Sequence, residues 1–180
     1  MRIMTGAALA LVLGLAGCSA STDTTGVPSC PRTAIIADAS RLVQFGPGQT
    51  QVAQGAPQAI ALEARITRIG GECVYPKNKA NVTVNMNLTI EARRNSPDLS
   101  AGATTVSYFV AVVDADQRVL GRVEFSSALE FKNGERQTAV IEELEQRIPL
   151  PSGRAAAGYD VLVGFLLTPE QVNLNRASLR

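Results

Sequence analysis

Asn81-Val82-Thr83-Val84-Asn85-Met86-Asn87-Leu88-Thr89-Ile90-Glu91 alternates polar and apolar residues without a break. A period of two marks a strand with one buried and one solvated face, because successive side chains leave a strand on opposite sides. Working back from it, Ile60, Leu62, Ala64 and Ile66 alternate with Ala61, Glu63, Arg65 and Thr67 in the same way. Thr33 to Phe45 is a weaker strand, interrupted around Asp38 to Ser40, where a bend or bulge is expected. Working forward, Val106 to Val113 and Val119 to Phe125 flank Asp114-Ala115-Asp116-Gln117, which predicts a hairpin. Leu129 to Phe131 and Gln137 to Ile148 flank Asn133-Gly134, the strongest short-range hairpin signal in the chain, since both positions tolerate positive φ. Tyr159 to Leu167 is the last predicted strand. Thr168 then reads as an N-cap, Pro169 as the first helical position and Gln171 as the closing residue of a capping box, with the short helix ending near Arg176.

About seven strands at near-regular spacing, separated by Gly, Pro and Asn turns, predict an all-β fold. The expectation is a single antiparallel β-sandwich, immunoglobulin-like, with a short C-terminal helix. A small antiparallel barrel is the alternative. Tryptophan is absent and no inter-sheet disulfide of the antibody kind is expected, so membership of that family is not implied.

The N-terminus carries a different signal. Arg2 is a short positive region and Ile3 to Leu15 is an almost uninterrupted apolar run, too short to cross a hydrocarbon core of about 30 Å as a helix. The run ends in Leu15-Ala16-Gly17-Cys18, which resembles the lipobox of bacterial prolipoproteins. The resemblance implies that the Cys18 thiol takes a diacylglyceryl group, that cleavage falls before Cys18, and that its new amine is acylated. Several acyl chains, at about 0.8 kcal/mol per buried methylene, anchor stably where one would not. Ser19 rather than Asp follows the cysteine, which by resemblance to lipoprotein sorting favours the periplasmic face of the outer membrane. Residues 19–29 are Ser, Thr, Asp, Gly and Pro with few apolar side chains, the composition of a flexible tether. The expected organisation is a signal peptide over 1–17, a lipidated tether over 18–29 and the sandwich domain over 30–180.

Composition excludes whole classes of chemistry. Seventeen basic residues stand against sixteen acidic, and loss of Arg2 on processing leaves sixteen of each. A neutral domain carries no electrostatic footprint for nucleic acid. The chain has no histidine. That removes Ser-His-Asp and Cys-His nucleophiles, histidine proton shuttles and every histidine-containing zinc or haem site. Carboxylate-only chemistry survives, as in glycoside hydrolysis, but three tyrosines and no tryptophan offer no evident platform for a sugar. No cofactor is expected.

With Cys18 lipidated, Cys30 and Cys73 remain, and two cysteines in one small domain of an oxidising compartment pair. Two thiolates without histidine make a weak metal site. The expected geometry is one antiparallel hairpin, in which Thr33–Phe45 turns back through Gly46–Pro57 and sets Val43 opposite Ile60 and Cys30 opposite Cys73. Pieces of the domain, Tyr108-Phe109-Val110-Ala111-Val112-Val113-Asp114, Arg147-Ile148-Pro149-Leu150 and Val163 to Gln171, resemble a family of uncharacterised proteobacterial lipoproteins. That resemblance covers most of the mature chain and implies no activity.

Asp114 and Asp116 suggest the start of a calcium loop, but the sixth and twelfth positions hold Val119 and Phe125 where Gly and Glu are needed, so a hairpin turn is expected. Glu142, Glu143 and Glu145 with Arg147 read as a solvated strand, Glu142 pointing to one face and the other two glutamates to the opposite one. Asn81-Val82-Thr83 and Asn87-Leu88-Thr89 match a glycosylation sequon and read as polar strand positions. Two strands are apolar on both faces. Val106, Tyr108, Val110 and Val112 oppose Phe109, Ala111 and Val113, and Val161, Val163, Phe165 and Leu167 oppose Leu162 and Leu166. A two-sheet sandwich buries one face of each sheet, so the second must be covered. The C-terminal helix or the Asn95–Thr104 loop would serve. Where cover fails, Phe109, Leu162 and Leu166 form a candidate partner surface. The functional expectation is a non-enzymatic envelope lipoprotein, anchored to the membrane through Cys18, that binds an envelope protein or supports an assembly. The alternative is a small-molecule or lipid binder, which needs an enclosed apolar cavity of several hundred Å³.

Overall fold

The computed structural model describes residues 28–46, 60–96, 98–151 and 155–179. The segments expected as a signal peptide and a lipidated tether, with Cys18 between them, lie outside the described residues up to Val27. Eight strands and a helix follow in order: β1 (Arg32–Ile35), β2 (Arg41–Phe45), β3 (Ile60–Val74), β4 (Asn81–Arg94), β5 (Gly102–Asp114), β6 (Val119–Phe131), β7 (Gln137–Pro149), β8 (Tyr159–Phe165) and α1 (Pro169–Ser178). One sheet runs β1-β8-β5-β6 and the other β2-β3-β4-β7. They pack face to face as a sandwich, not a closed barrel. Every pairing is antiparallel except β1 with β8, which is parallel.

The alternation in β4 does what its period requires. Val82, Val84, Met86, Leu88 and Ile90 are each at most 3% exposed and meet Val106, Tyr108, Val110, Val161, Val163 and Phe165 from the facing sheet. Each such side chain contributes roughly 1.5–3 kcal/mol on burial. Tyr108 stacks on Phe125 with ring centroids 5.4 Å apart.

The expected run Thr33–Phe45 is two strands, whereas Val119–Phe125 and Leu129–Phe131, expected separately, are the single strand β6. The interruption expected near Asp38 is a change of sheet. The Ile36 amide donates to Val163 O at 2.9 Å as the last bond of β1 to β8, one turn of 3-10 helix follows at Ala37–Ala39, and Ser40 O accepts from Ile66 N at 2.9 Å to begin the other sheet. The expected hairpin register is therefore corrected. β2 alone pairs β3, with Val43 opposite Glu63 rather than Ile60, and β1 pairs β8.

Cys30 and Cys73 are bonded, with Cα atoms 5.7 Å apart. The pairing is as expected and its geometry is not: Cys30 precedes β1 of one sheet and Cys73 lies in β3 of the other, so the bond ties the segment leading into one layer to a strand of the other. A register shift at Thr67 makes this feasible. Before it, Leu62, Ala64 and Ile66 face inward; after it, the phase reverses and Ile69, Gly71 and Cys73 lie opposite the core residues Leu88, Met86 and Val84. Gly71 is required there, because a Cβ would run into the Asn85 carbonyl.

Asn133-Gly134 makes the expected tight turn, with Gly134 at φ 80° and Glu135 N bonded to Lys132 O at 3.1 Å. It does not make a hairpin. β6 and β7 belong to different sheets, so the turn is a corner between layers. The hairpin expected across Asp114–Gln117 does form, joining β5 to β6. The corner is held by Arg94, whose guanidinium donates to the carbonyls of Leu99, Ser100, Lys132 and Glu135 at 2.7–3.2 Å and lies 4.8 Å from the Phe131 ring centroid. It ties the β4–β5 and β6–β7 crossings together at one end of the sandwich.

The helix forms with both bonds of its capping box and runs to Ser178, two residues past the expected end. It packs on the 3-10 turn and β2. Gln171 donates to Val43 O at 2.8 Å, and Asn175, 3% exposed, donates to Arg41 O at 2.7 Å and Asp38 O at 2.8 Å. One helical turn separates the two side chains, so they reach alternate carbonyls along the outer edge of β2.

The disulfide closes a separation of 43 residues and joins two layers. Replacing both cysteines, Cys30→Ser with Cys73→Ser, should lower the unfolding free energy in urea by roughly 3–4 kcal/mol. A loss under about 1 kcal/mol would contradict this role for the bond.

Candidate functional site

The outer faces of the two sheets differ in kind. On the β2-β3-β4-β7 sheet, cross-strand partners are mostly charged or polar: Glu63 with Arg93, Arg65 with Glu91, Asn87 with Glu143, Asn85 with Glu145 and Thr83 with Arg147, with Ile141 and Val74, 65% and 50% exposed, as apolar exceptions. Arg41 and Arg65 both bond Glu63, each at 2.8 Å. Burial pushes the Glu63 carboxyl up, but the hydrogen bonds and charges of Arg41 and then Arg65 outweigh it and hold it below the usual carboxylate range. This is an ordinary solvated face. Asn81 and Asn87, from the sequon matches, are polar strand positions beside the core residues Val82 and Leu88.

On the β1-β8-β5-β6 sheet, the outer face is apolar along its centre. Register places Ala34, Leu162 and Ala111 in one row and Gly164 beside Phe109 in the next. Leu166 follows at the end of β8, its amide bonded to Ser107 O at 2.9 Å. Phe109, Leu162 and Leu166, the predicted partner residues, thus share one face, and all three are half-buried. Ala111 and Val113 beside them are only 5% and 3% exposed.

Part of the cover comes from the sheet change rather than from the two elements expected to supply it. A Cβ on Gly164 would stand 2.7 Å from the Ala39 Cβ and 3.4 Å from the Phe109 ring, so the 3-10 turn rests on β8 through the space glycine leaves open. The Arg122 guanidinium lies 4.4 Å from the Phe109 centroid, a cation–π contact that roofs the ring. Arg32 and Asp160 pair at 2.6 Å across the β1–β8 end of the face. The helix instead sits on β2, and the loop before β5 bonds Arg94 at the far corner through Leu99 and Ser100.

The remaining candidates resolve locally. Asp114 is buried and uses both oxygens within its turn: one accepts from the amides of Asp116 and Arg118 at 3.0 Å, the other from the Arg118 guanidinium at 2.6 and 2.9 Å. Those Arg118 bonds hold its carboxyl below the usual carboxylate range. This is the turn reading, with the carboxylate already engaged. Glu142 points inward and Glu143 and Glu145 outward, as the alternation requires. The Ser127 hydroxyl donates to Glu142 at 2.5 Å, between β6 and β7. Burial, and then the Glu142 charge, push the nearby Tyr108 hydroxyl up to about 12.

Sequence reasoning missed Arg94, Asn175 and the bond of the capping residue Gln171 to Val43, which hold crossings and edges. Nothing in a single polar side chain on a strand or helix distinguishes that duty from solvation. No family model matches the chain, and no curated protein or solved structure matches it.

The tight seat of Ala39 on Gly164 is open to test. Gly164→Ala should cost roughly 1–3 kcal/mol of stability in urea unfolding, because the opposing atom is fixed to the backbone. Pairing it with Ala39→Gly should recover part of that loss. A cost under about 0.5 kcal/mol would mean that the turn does not bear on this face.

Proposed function

We propose that the chain is an envelope lipoprotein, lipidated at Cys18 and held at the periplasmic face of the outer membrane, whose sandwich binds another envelope protein and catalyses no reaction. The anchor rests on Leu15-Ala16-Gly17-Cys18 behind a short apolar run, and the destination on Ser19. The mature chain then belongs with the uncharacterised proteobacterial lipoproteins that its Tyr108–Asp114 and Val163–Gln171 segments resemble. The absence of histidine from the sequence supports a binding module over a catalyst.

One observation carries the binding reading: β5 and β8 are apolar on both faces, and Phe109, Leu162 and Leu166 on the second face keep part of their surface in water. A solvated sheet would carry mainly polar residues there, as the other sheet does apart from Val74 and Ile141. The alternative, a small-molecule or lipid binder, draws less support. Most inner-face side chains of both sheets form one packed core, and concavities such as those lined by Ala128 and Val140, by Glu63 and Gln137, and by Leu120 and Pro149 are open to solvent.

The test is affinity purification of the full chain from its own membranes, comparing the parent with Cys18→Ser, Phe109→Asp and Leu166→Asp. Cys18→Ser should lose the acyl mass and leave the membrane fraction. Both aspartate variants should stay folded by circular dichroism and lose the co-purifying protein. A Cys18→Ser chain that stays membrane-bound at unchanged mass contradicts the anchor. Aspartate variants that keep the partner contradict the surface.

A further inference from the structure

A sandwich of two open sheets has four edges, and an unpaired edge is a template for another strand unless something blunts it. Three of the four are blunted here. β1 is only four residues long. β2 has the carbonyls of Arg41 and Val43 occupied by Asn175 and Gln171. β7 turns a carboxylate, Glu142, inward and ends in Pro149, both devices that discourage a further strand.

The fourth edge, β6, is blunted only at its corner end, where Glu130 O accepts from the Thr138 hydroxyl at 2.6 Å. It is thirteen residues long without Lys or Pro, and its inward positions Val123, Phe125, Ser127, Leu129 and Phe131 carry no charge. Among the described residues no strand pairs with its outer edge. The irregularity in its register with β5 sits at Leu120 beside the turn, leaving Gly121–Phe131 unbroken. Val119, Leu120 and Val123 are 64%, 55% and 48% exposed, among the most exposed large apolar side chains described.

The geometry points to β6 as a self-association edge, on which a second copy of this chain adds its own β6 antiparallel to form one continuous sheet. This inference stands apart from the lipid anchor and shares one residue, Arg122, with the Phe109 face. Two-fold symmetry restricts the register. Opposed residues must point to the same side of the sheet, so a residue on the axis must face its own copy. Centring on Ser126 sets the Arg122 side chain opposite the other copy's Glu130, twice, and leaves Arg122–Ala128 free to pair, the Glu130 carbonyl at each end already accepting from Thr138. The neighbouring registers are poorer. Centring on Ser127 opposes Glu124 to Glu130, and centring on Glu124 opposes it to its own copy; like charges directly opposite are unfavourable. Centring on Phe125 sets Arg122 opposite Ala128, with no charge pair, and runs the ladder into the irregularity at Leu120. Arg122 and Glu130 are both exposed, and Arg122 has only the exposed Glu124 as an ion-pair partner among the described residues, at 3.1 Å.

The test uses the full chain, in detergent where it carries lipid. Ser126→Cys should give a covalent dimer on oxidation with copper phenanthroline, because each new thiol faces its own copy. Val123→Cys should not, since it would lie about 20 Å from its copy along the strands. The parent is the control for the existing cysteines. In sedimentation equilibrium, Arg122→Glu should weaken the dimer by roughly tenfold or more, and adding Glu130→Arg should restore it. A parent that stays monomeric at about 100 µM overturns the proposal. So does cross-linking at Val123→Cys in place of Ser126→Cys, or an extended peptide of another protein pairing with β6 while the chain itself stays monomeric.

Discussion

A chain that bonds Val163 O through Ile36 and Ile66 N through Ser40 belongs to both layers at once, so the two sheets must hold one spacing and one stagger. The remaining features gather around that constraint. The disulfide joins the layers beside β1. Asn175 reaches Asp38 within the crossing and Arg41 just after it, Arg176 pairs with Asp38 at 2.6 Å, and Ala39 sits against Gly164. Helix α1 is short, and its capping box alone would not keep it folded. Its stability comes from the sheet change it covers, and in return it fills the edge of β2.

The opposite side of the sandwich is built differently. There the layers are joined by a corner, with Arg94 caged by four carbonyls. A charged donor among neutral acceptors is a strong set of hydrogen bonds, and it fixes where the β6–β7 turn sits without closing either edge. One side of the molecule is therefore sealed by covalent, helical and backbone contacts, while the other presents two long strands. Glu142 guards one of them. The apolar outer face of β5 and β8 lies between the sealed side and the open edge, roofed in part by Arg122 from β6. Whatever binds there meets a surface positioned by both.

How far the fold could be foreseen follows from what a period of two encodes. Alternation in β4 and in the first half of β3 told which side chains face the core, and they do. It is silent on which sheet a strand joins, since a strand reads the same in either layer. Thr33–Phe45 therefore looked like one strand with a bulge, and Asn133-Gly134 like a hairpin; the local chemistry was right in both and the partner was not. Cysteine counting found the pair, because only two thiols were left to join. Its path depended on a phase change at Thr67, which no composition rule marks. Of the candidate surface, strand parity made legible that Leu162 and Leu166 share a face and that Phe109 lies on the second face of its own strand; that β5 and β8 are neighbours, which brings all three onto one face, was not legible. Nor was their cover, because it comes from Ala39 and Arg122, residues distant in sequence from one or more of the three.

The central claim is that the crossing at Ile36–Ser40 is part of the cooperative core and not a frayed connection. Residue-resolved amide hydrogen exchange under native conditions tests it most directly. The Ile36 and Ile66 amides, which bond across the change of sheet, should exchange only through global unfolding, with the same free energy as the slowest amides of β4. Exchange of both at a free energy lower by about 2 kcal/mol or more would show that the crossing opens on its own, and would contradict the account.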